Sequence, residues 1–373
     1  MKLIKKSCLI MTVIIMCNTF TGCFDYNDIN KLMFVICVVV DVDENKKPII
    51  YVEVFRPFRA SDKSSERGER LTYCGRGKTV FEAIRDINLS TSYMLNYSQS
   101  KALVFTTKAA EYGLNNYIDI FDRDQQFVLR PYIAIFDGKA EDLLSSEVKE
   151  EQYIGLFINN LIENHGSTSR SVSTPLNKYL VRRTMGSKCS VVTLIGINNQ
   201  FGDGKLVVKG GAVIKKDKMV GKLETRMGMG FNFLTNQIKT GSMEITNPEH
   251  EEAYVSLLIL KNRTTTDVNY TNGKIYLNKR IRATAGIEEI DKGLTLGPEQ
   301  LKYIKKHAED NIYKACMEVF NEYKEKGIDI FDIQDEMYRT YPHVKLNNYI
   351  KDTVLIMNIQ VNIETSQDVN DFQ

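Results

Sequence analysis

The stretch from Pro298 to Gly327 constrains the fold more than any other part of this 373-residue sequence. Apolar residues recur in it at every third or fourth position, which is the period of an amphipathic helix. They are Leu301, Ile304, Ala308, Ile312, Ala315, Val319 and Tyr323. Proline at the start and glycine at the end match the preferences of helix termini. The sequence therefore predicts a long helix over 298–326 that buries one face.

A strand-like segment follows this helix. From Thr353 to Glu364, apolar and polar residues alternate strictly, as in a strand with one buried face. Half-buried strands are typical of antiparallel sheets, so we expect antiparallel pairing. Three strand-like runs precede the helix, with a tight turn at Asn272-Gly273. These runs are Tyr254–Leu260, Ile275–Leu277 and Arg280–Ile290.

The N-terminal part mixes strand and helix signals. Leu32–Asp43 and Ile49–Phe55 are rich in Val and Ile and flank a short polar turn, which predicts a β-hairpin. Thr79 and Glu82 have the spacing of a capping box, which predicts a helix start. Residues 57–77 are polar and basic, which predicts an exposed excursion.

Polar stretches divide the predicted fold into domains. His165–Thr174 is mostly Ser, Thr, Gly and Arg, so we interpret it as a linker or mobile loop. Thr246–Glu249 marks a second boundary. We predict an N-terminal mixed α/β domain at 23–185, a small middle domain at 186–249, and a C-terminal domain at 250–373 that combines an antiparallel sheet with the long helix. The fold class is α+β, with three mixed α/β domains and largely antiparallel sheets.

The first 23 residues have the layout of a bacterial lipoprotein signal. Lysines lead into an apolar run of secretory length, and Thr21-Gly22 places small residues directly before Cys23. The run is shorter than the roughly 20 apolar residues of a membrane span. We therefore predict that residues 1–22 are a cleaved signal peptide and that Cys23 carries the lipid. Because Phe20 stands where such signals usually have Leu, Val or Ile, an ordinary secretory peptide or an uncleaved anchor remains the alternative.

The composition indicates a folded body behind this anchor. The net charge is +2, and 43% of residues are hydrophobic and 26% charged, which are ordinary globular values. The sequence lacks the overall excess of basic residues that is typical of nucleic-acid-binding proteins. No apolar run after Cys23 approaches the length of a membrane span. We therefore expect the membrane, through the lipid, as a partner, and no nucleic acid.

Four cysteines remain besides Cys23 and the two of the signal. Their wide spacing contains no C-x-x-C, so buried free thiols are favoured. A disulfide stays open because the chain is predicted to be exported. These residues are Cys37, Cys74, Cys189 and Cys316.

No motif of catalysis, metal binding or nucleotide binding occurs. The four histidines stand far apart without neighbours at metal-ligand spacing. They are His165, His250, His307 and His343. Asp41–Asn45 lacks the glycine and glutamate of a calcium loop and is interpreted as a hairpin turn. Gly228-Met-Gly230 lacks a third glycine, and neither a P-loop nor G-x-S-x-G is found. We predict no catalytic residue, no metal, no cofactor and no enzymatic activity.

Basic residues concentrate in Arg56–Arg76, and Arg182-Arg183 form a further pair. Solvated loop charge is one interpretation. Contact of Arg67, Arg70 and Arg76 with anionic headgroups or an acidic partner is the other.

Several spaced segments together carry a family resemblance. Cys23–Asn30 resembles the opening Cys-Trp-Asp-x-x-Glu-Ile-Asn, with Phe24 for Trp and Asp28 for Glu. Gly211–Gly221 is similar to a hairpin written G-x-A-V-F-K-x-D-K-L-V-G. Further segments follow in matching order, namely Ile287–Ile290, the long helix, Gly327–Phe331 and Tyr338–Pro342. The mature chain thus resembles the Ger(x)C family, the lipoprotein C subunits of spore nutrient germinant receptors. The chain has no tryptophan, so the family's aromatic packing after Pro342 is altered here.

The resemblance implies a three-domain mixed α/β protein, lipid-anchored on the outer face of the spore inner membrane. It implies assembly with integral-membrane A and B receptor subunits and a part in nutrient-triggered spore germination. Contact with the nutrient itself does not follow from these residues.

Two other classes stay as alternatives. A solute-binding lipoprotein of a transport system predicts one deep cleft between two similar lobes. A lipid-anchored wall hydrolase predicts converging carboxylates, or a nucleophile and base, in one pocket.

Overall fold

The strands of the chain form two separate sheets. The structure, a computed structural model, describes residues 31–55, 70–124, 126–127, 129–146, 148–164, 168–198 and 204–364, together with Ile4 and Met11. One sheet has nine strands and the other has four, and we call them the N-terminal sheet and the C-terminal sheet. Antiparallel pairings outnumber parallel ones among the described strands. The fold is mixed α/β, as predicted.

The N-terminal sheet is parallel at its centre and antiparallel at both ends. Its strands are β1 (Leu32–Val42), β2 (Pro48–Phe55), β3 (Arg70–Arg76), β4 (Met94–Asn96), β5 (Ala102–Thr106), β6 (Tyr132–Phe136), β7 (Cys189–Asn198), β8 (Lys205–Lys215) and β9 (Lys218–Leu223). They run in the order β3-β2-β1-β5-β6-β7-β8-β9, and β4 pairs with the start of β1. The parallel strands β1, β5, β6 and β7 are apolar on both faces, as expected where both faces are covered.

Helices supply that cover. They are α1 (Val80–Ile87), α2 (Thr107–Tyr112), α3 (Asp119–Arg123), α4 (Ala140–Ser145), α5 (Ile154–Asn164) and α6 (Leu176–Arg182). The first three and α6 bury side chains such as Ile84 and Tyr179 in a core on one face. On the other face, α4 and α5 bury Leu143 and Ile158 in a second core.

The C-terminal sheet is covered on one face only. Its strands are β10 (Gly241–Thr246), β11 (Tyr254–Thr271), β12 (Lys274–Ile290) and β13 (Thr353–Glu364), in that order across the sheet. The helices of this part are α7 (Gly228–Leu234), α8 (Pro298–Lys326) and α9 (Ile333–Thr340). Buried residues of all three helices join those of the sheet in one core, whereas side chains of the opposite face, such as Arg280 and Asn358, are exposed.

A polar segment, residues 168–174, lies between the two sheets, and we call it the strap. The C-terminal residue of the strap is fixed to β7, because the Thr174 hydroxyl donates to the carbonyl of Val191 at 2.8 Å. The preceding residues are fixed to α7, because the Asn232 amide donates to the carbonyls of Ser169 at 2.9 Å and Ser171 at 2.6 Å. The strap therefore bonds to both parts of the fold.

Close packing of α7 reinforces the strap. A Cβ on Gly228 would lie 1.9 Å from the carbonyl oxygen of Arg170, so only glycine lets the helix approach this closely. Val172 of the strap is fully buried in the core of the C-terminal sheet. The strap thus contributes apolar packing as well as hydrogen bonds.

An ion pair and a hydrogen bond add a second connection between the two parts. Arg182, at the end of α6, contacts the carboxylate of Asp332 at 2.5 Å, next to the start of α9. The hydroxyl of Ser187 donates to the carbonyl of Asp329 at 3.0 Å. The side chains of Arg182 and Asp332 are largely shielded from solvent, so this ion pair is screened less than a surface pair.

A buried carboxylate organises the N-terminal sheet. Glu53 of β2 is fully buried and accepts the backbone N–H groups of Ile154 and Gly155 at 2.7 and 2.8 Å, which caps α5. Arg70 of β3 pairs with it at 2.8 Å and also donates to the carbonyl of Leu144. Burial raises the pKa of Glu53, and its hydrogen bonds and Arg70 oppose that rise. One carboxylate thus joins two strands and a helix.

Several sequence predictions are confirmed. The first hairpin pairs β1 with β2 across the predicted turn. The long helix spans the predicted residues and ends at Gly327 in the left-handed conformation. Thr79 caps α1 through the N–H of Glu82 at 3.1 Å, although the Glu82 carboxylate bonds the N–H of Lys78 rather than that of Thr79.

The predicted antiparallel pairing of the last strand is wrong. The residues of Thr353–Glu364 do alternate between a packed and an exposed face, but β13 runs parallel to β12. The long helix α8 lies between the two strands in sequence and crosses back along the sheet, which produces parallel neighbours.

Two predicted loops are also partly wrong. In the exposed excursion predicted at 57–77, residues 70–76 form strand β3, paired with β2, and residues 57–69 lie outside the described part. In the linker predicted at His165–Thr174, residues 168–174 form the packed strap. Both segments are polar in sequence, but residues 70–76 pair with β2, and the strap forms hydrogen bonds through the carbonyls of Ser169 and Ser171 and the hydroxyl of Thr174.

The cysteine predictions hold for three of four residues. Cys37, Cys189 and Cys316 are buried and free, as predicted. Cys74 is also free but is exposed, because it lies on the edge strand β3.

The division into three domains stays a prediction. The N-terminal sheet crosses the predicted boundary at 185/186, since β7 pairs with β6. Strands β8 and β9 of segment 186–249 also belong to the N-terminal sheet, whereas its α7 and β10 belong to the C-terminal part.

We predict that Asn232→Ala lowers the free energy of unfolding by about 2 kcal/mol, because two buried strap carbonyls lose their donor. Urea titration followed by circular dichroism measures the change. Asn269→Ala is the matched control, since Asn269 is an exposed residue of β11. Equal effects of the two substitutions would contradict the role of the strap.

Lys279 predicts a pH dependence of stability. This lysine is buried under the C-terminal sheet and donates to the carbonyl of Leu234 and the hydroxyl of Thr266, both at 2.8 Å. Burial lowers its pKa from 10.5 to about 8. Between these values the unfolded state holds more protons, so the free energy of unfolding contributed by Lys279 rises with pH.

We therefore expect Lys279→Met to remove an increase of about 3 kcal/mol that the unsubstituted chain gains between pH 8 and 10.5. All other titrating groups contribute equally to the free energy of unfolding of the two chains, so their contributions cancel in the difference. Parallel pH profiles would show that Lys279 has an ordinary pKa.

Candidate functional site

The predicted lipid site lies close to the start of the described fold. Cys23 and the signal peptide 1–22 lie outside the described residues, apart from Ile4 and Met11. The described body begins at Lys31, eight residues after Cys23. A chain of eight residues spans at most about 29 Å. A lipid on Cys23 would therefore hold this end of the body near a membrane surface.

A long groove opens at the same end of the molecule. It has a volume of about 820 Å³, and its described lining comes from α1, from β4 and its flanks, and from the residues around α3. Lys31 and Leu32 form part of this lining. We call it the N-terminal groove.

One wall of the groove is an exposed apolar surface. Helix α1 turns Val80, Ile84 and Ile87 toward the core, which leaves Phe81 on the outer side, where it is 51% exposed. Met94 of β4 is 57% exposed. Large apolar side chains at this exposure in one depression are typical of a contact surface.

Tyr97 lines the groove, but its hydroxyl is closed to solvent. The side chain is 2% exposed, and its ring lies 4.4 Å from that of Phe127. Within the described part of the chain, its hydroxyl makes no hydrogen bond. Burial raises the pKa of Tyr97, so the hydroxyl stays protonated. An unpaired buried hydroxyl costs about 1–3 kcal/mol.

Polar groups surround this apolar wall and aromatic floor. Arg85 lies over the ring of Phe81 at 5.0 Å, and Asp124 accepts the backbone N–H of Gln126. An apolar centre inside a polar rim is the usual layout of a protein interface. The groove can therefore hold an apolar side chain.

The histidines do not form a site in the structure. His250, His307 and His343 are described, and His165 is not. His307 stacks on Tyr303 with ring centres 3.8 Å apart. Among the described residues, no group of His, Cys, Asp or Glu could hold a metal ion.

The predicted hairpin turn at Asp41–Asn45 is confirmed. The Asp43 carboxylate accepts the N–H of Lys47 at 2.8 Å, as in a tight polar turn. The carboxylate of Asp41 accepts the hydroxyl of Thr106 at 2.6 Å. Both carboxylates therefore serve the local structure.

Three of the basic residues singled out in the sequence have internal partners. Arg70 pairs with Glu53, Arg182 with Asp332, and Arg183 with Asp217 at 2.8 Å. Arg76 is described and exposed. Contact of the basic residues with headgroups or an acidic partner stays a hypothesis. Arg67 lies outside the described part of the chain.

The groove was not predicted from the sequence, although one signal for it was available. Phe81 stands outside the apolar stripe of its helix, and Met94 alternates with the buried Leu95. Large apolar residues on the outer side of two neighbouring elements indicate a contact surface. The unpaired hydroxyl of Tyr97 had no such signal, because it depends on tertiary packing.

None of the helices in the described ranges is both long enough and apolar enough to cross a bilayer.

Comparisons with known proteins cover almost the whole chain. Residues 25–197 match the family described as spore germination protein N-terminal domain, and residues 209–372 match the one described as spore germination B3/GerAC like, C-terminal. The chain is 23% identical to spore germination protein GerQC of Bacillus cereus over 72% of this chain and 74% of that protein. It is 22% identical to spore germination protein B3 of Bacillus subtilis (strain 168) over 88% and 85%.

A solved structure has the same fold. The crystal structure of the GerBC protein superposes with a TM-score of 0.59 at 15% sequence identity, covering 87% of this chain and 96% of that one. The order of segments noted in the sequence, the two family matches and this structural match agree. The chain therefore belongs to the Ger(x)C family of spore germination proteins, the family of germination receptor C subunits.

Proposed function

We propose that this chain is the lipid-anchored subunit of a spore germinant receptor complex and is needed for nutrient-triggered germination. Its lipid on Cys23 would hold it at the outer face of the spore inner membrane. Integral-membrane A and B subunits would be its partners, and its task would be binding rather than catalysis.

The position of the N-terminal groove is the observation that carries this proposal. The groove is lined by Lys31, so it opens at the end of the body that the lipid would hold near the bilayer. A tether of this length confines the groove to a thin layer and raises its effective concentration toward membrane partners. We propose that an apolar segment of a membrane subunit occupies the groove.

The two alternative classes have less support. A solute-binding lipoprotein predicts two similar lobes, whereas the two sheets of this chain have nine and four strands. A wall hydrolase predicts converging acids in one pocket, whereas Asp124 is the single carboxylate in the described lining of the groove.

We expect Cys23→Ala to abolish acyl labelling and to release the protein from spore membranes, because the thiol is the proposed site of acylation. Metabolic labelling with a palmitate analogue and membrane fractionation measure both effects. Cys74→Ala is the control, since it removes an exposed thiol elsewhere. Retained labelling in the Cys23 variant would contradict the proposed anchor.

We expect Phe81→Gln with Met94→Gln to reduce copurification with the membrane subunits at least tenfold, while the lipid and the thermal midpoint are kept. Both side chains are exposed, so the free fold loses little packing. Leu89→Gln is the matched control, because Leu89 is 87% exposed and lies outside the groove lining.

Tyr97→Phe tests the buried hydroxyl beside the groove. It removes a hydroxyl that makes no hydrogen bond with the described residues, so we expect the thermal midpoint to be unchanged or higher. Because Cys23 is intact in these variants, a failure of docking is separable from a failure of anchoring. Unchanged copurification of all groove variants would refute the proposed docking site.

A further inference from the structure

Three arginines lie together on the exposed face of the C-terminal sheet. Arg263 of β11 is directly opposite Arg282 of β12, and Arg280 lies two residues before Arg282 on the same face. Thr265, opposite Arg280, completes the group. These four residues line an open depression of about 220 Å³. We call the three arginines the arginine cluster.

The arginine cluster lacks counter-charges. Its three guanidinium groups make no hydrogen bond or ion pair with the residues that the structure describes. Seven other arginines of the described chain do contact a carboxylate. They are Arg70, Arg123, Arg170, Arg182, Arg183, Arg226 and Arg339. The arginine cluster therefore differs from most described arginines in having no ion pair with the described residues.

The residues around the cluster do not balance its charge. On β13, Asn358 lies opposite Arg280 and Gln360 lies opposite Arg282, and both are neutral. The first carboxylate along β11 is Asp267, two residues beyond Thr265 and hence about 7 Å further along the strand. The depression is therefore positive and is bordered by neutral amides.

This arrangement weakens the free protein. Like charges directly opposite each other on neighbouring strands destabilise a sheet. The Arg263–Arg282 pair is in that position, and neither side chain is held by a partner among the residues that the structure describes. A bound anion would turn this repulsion into attraction.

The geometry points to a doubly charged phosphate group as that anion. A guanidinium presents a planar fork of donors that matches phosphate or carboxylate oxygens. Two guanidinium groups from facing strands, and a third from two residues away, can all be satisfied only by an anion that carries several acceptor oxygens on one central atom. A phosphate group has them, whereas a single carboxylate has two. We propose that the arginine cluster is a phosphate-binding site, with the Thr265 hydroxyl as a further donor.

The first test measures binding of inorganic phosphate by the full chain in a non-ionic detergent, at constant ionic strength. Isothermal titration calorimetry is compared for the unsubstituted chain and for Arg263→Gln with Arg282→Gln. We expect the double variant to lose at least about tenfold in affinity, since charge-assisted hydrogen bonds are removed. Lys274→Gln with Lys302→Gln is the control with the same change in charge, and we expect it to keep full affinity.

Thermal unfolding provides the second readout. Without phosphate, the Arg263→Gln and Arg282→Gln double variant should unfold at a higher temperature, because the opposed charges are gone. Phosphate should raise the midpoint of the unsubstituted chain and leave that of the variant unchanged. No binding to the unsubstituted chain, or equal binding by both chains, would overturn the proposal.

A third experiment distinguishes a lipid headgroup from a soluble phosphate compound. The same melts are recorded in mixed micelles of the detergent with phosphatidic acid or with phosphatidylcholine. Stabilisation by phosphatidic acid beyond that by inorganic phosphate, dependent on Arg263 and Arg282, assigns the site to a lipid. Equal or smaller stabilisation assigns it to a soluble phosphate compound. Stabilisation by neither source overturns the site.

Discussion

The relative position of the two sheets depends on the strap, residues 168–174. Its carbonyls take their donors from Asn232 of α7, while its Thr174 hydroxyl donates to β7. Buried carbonyls almost always have donors in folded proteins, so the strap has few other places to lie. The absence of a side chain on Gly228 lets α7 approach the strap backbone. A surface on one sheet consequently keeps a fixed position relative to a surface on the other.

The sequence predicted the elements better than their assembly. The spacing of the apolar residues, together with the proline and glycine at the two ends, was enough to predict the bounds of α8. Both signals depend on local geometry. Alternation in Thr353–Glu364 indicated which face is buried, but alternation is the same in parallel and antiparallel strands, so the direction of β13 was wrong. The strap was interpreted as a linker because its composition is that of a loop. Its partners, Asn232 and Val191, are distant in sequence, and no local pattern indicates them.

The candidate sites also differ in whether they depend on a local sequence motif or on tertiary packing. Cys23 rests on a local motif, whereas Tyr97 becomes an unpaired donor only through tertiary packing. The arginine cluster lies between these cases. A two-residue turn at Asn272-Gly273 pairs residues that are equally distant from it, and the structure has this register from Thr271–Lys274 to Arg263–Arg282. The opposition of two arginines therefore follows from the predicted turn, although the exposure of that face does not.

The groove and the arginine cluster share a physical property. Each contains a feature that raises the free energy of the unbound chain. In the groove it is the unpaired hydroxyl of Tyr97, and in the cluster it is the repulsion between Arg263 and Arg282. A bound anion would remove the second of these costs. Because the strap and the contacts of Arg182 and Ser187 fix one sheet to the other, occupation of one site changes the second only if these contacts rearrange. With these contacts intact, the chain would act as an adapter that holds a membrane partner and a phosphate group at a constant separation. Any signal between them would then have to arise from movement of the partners.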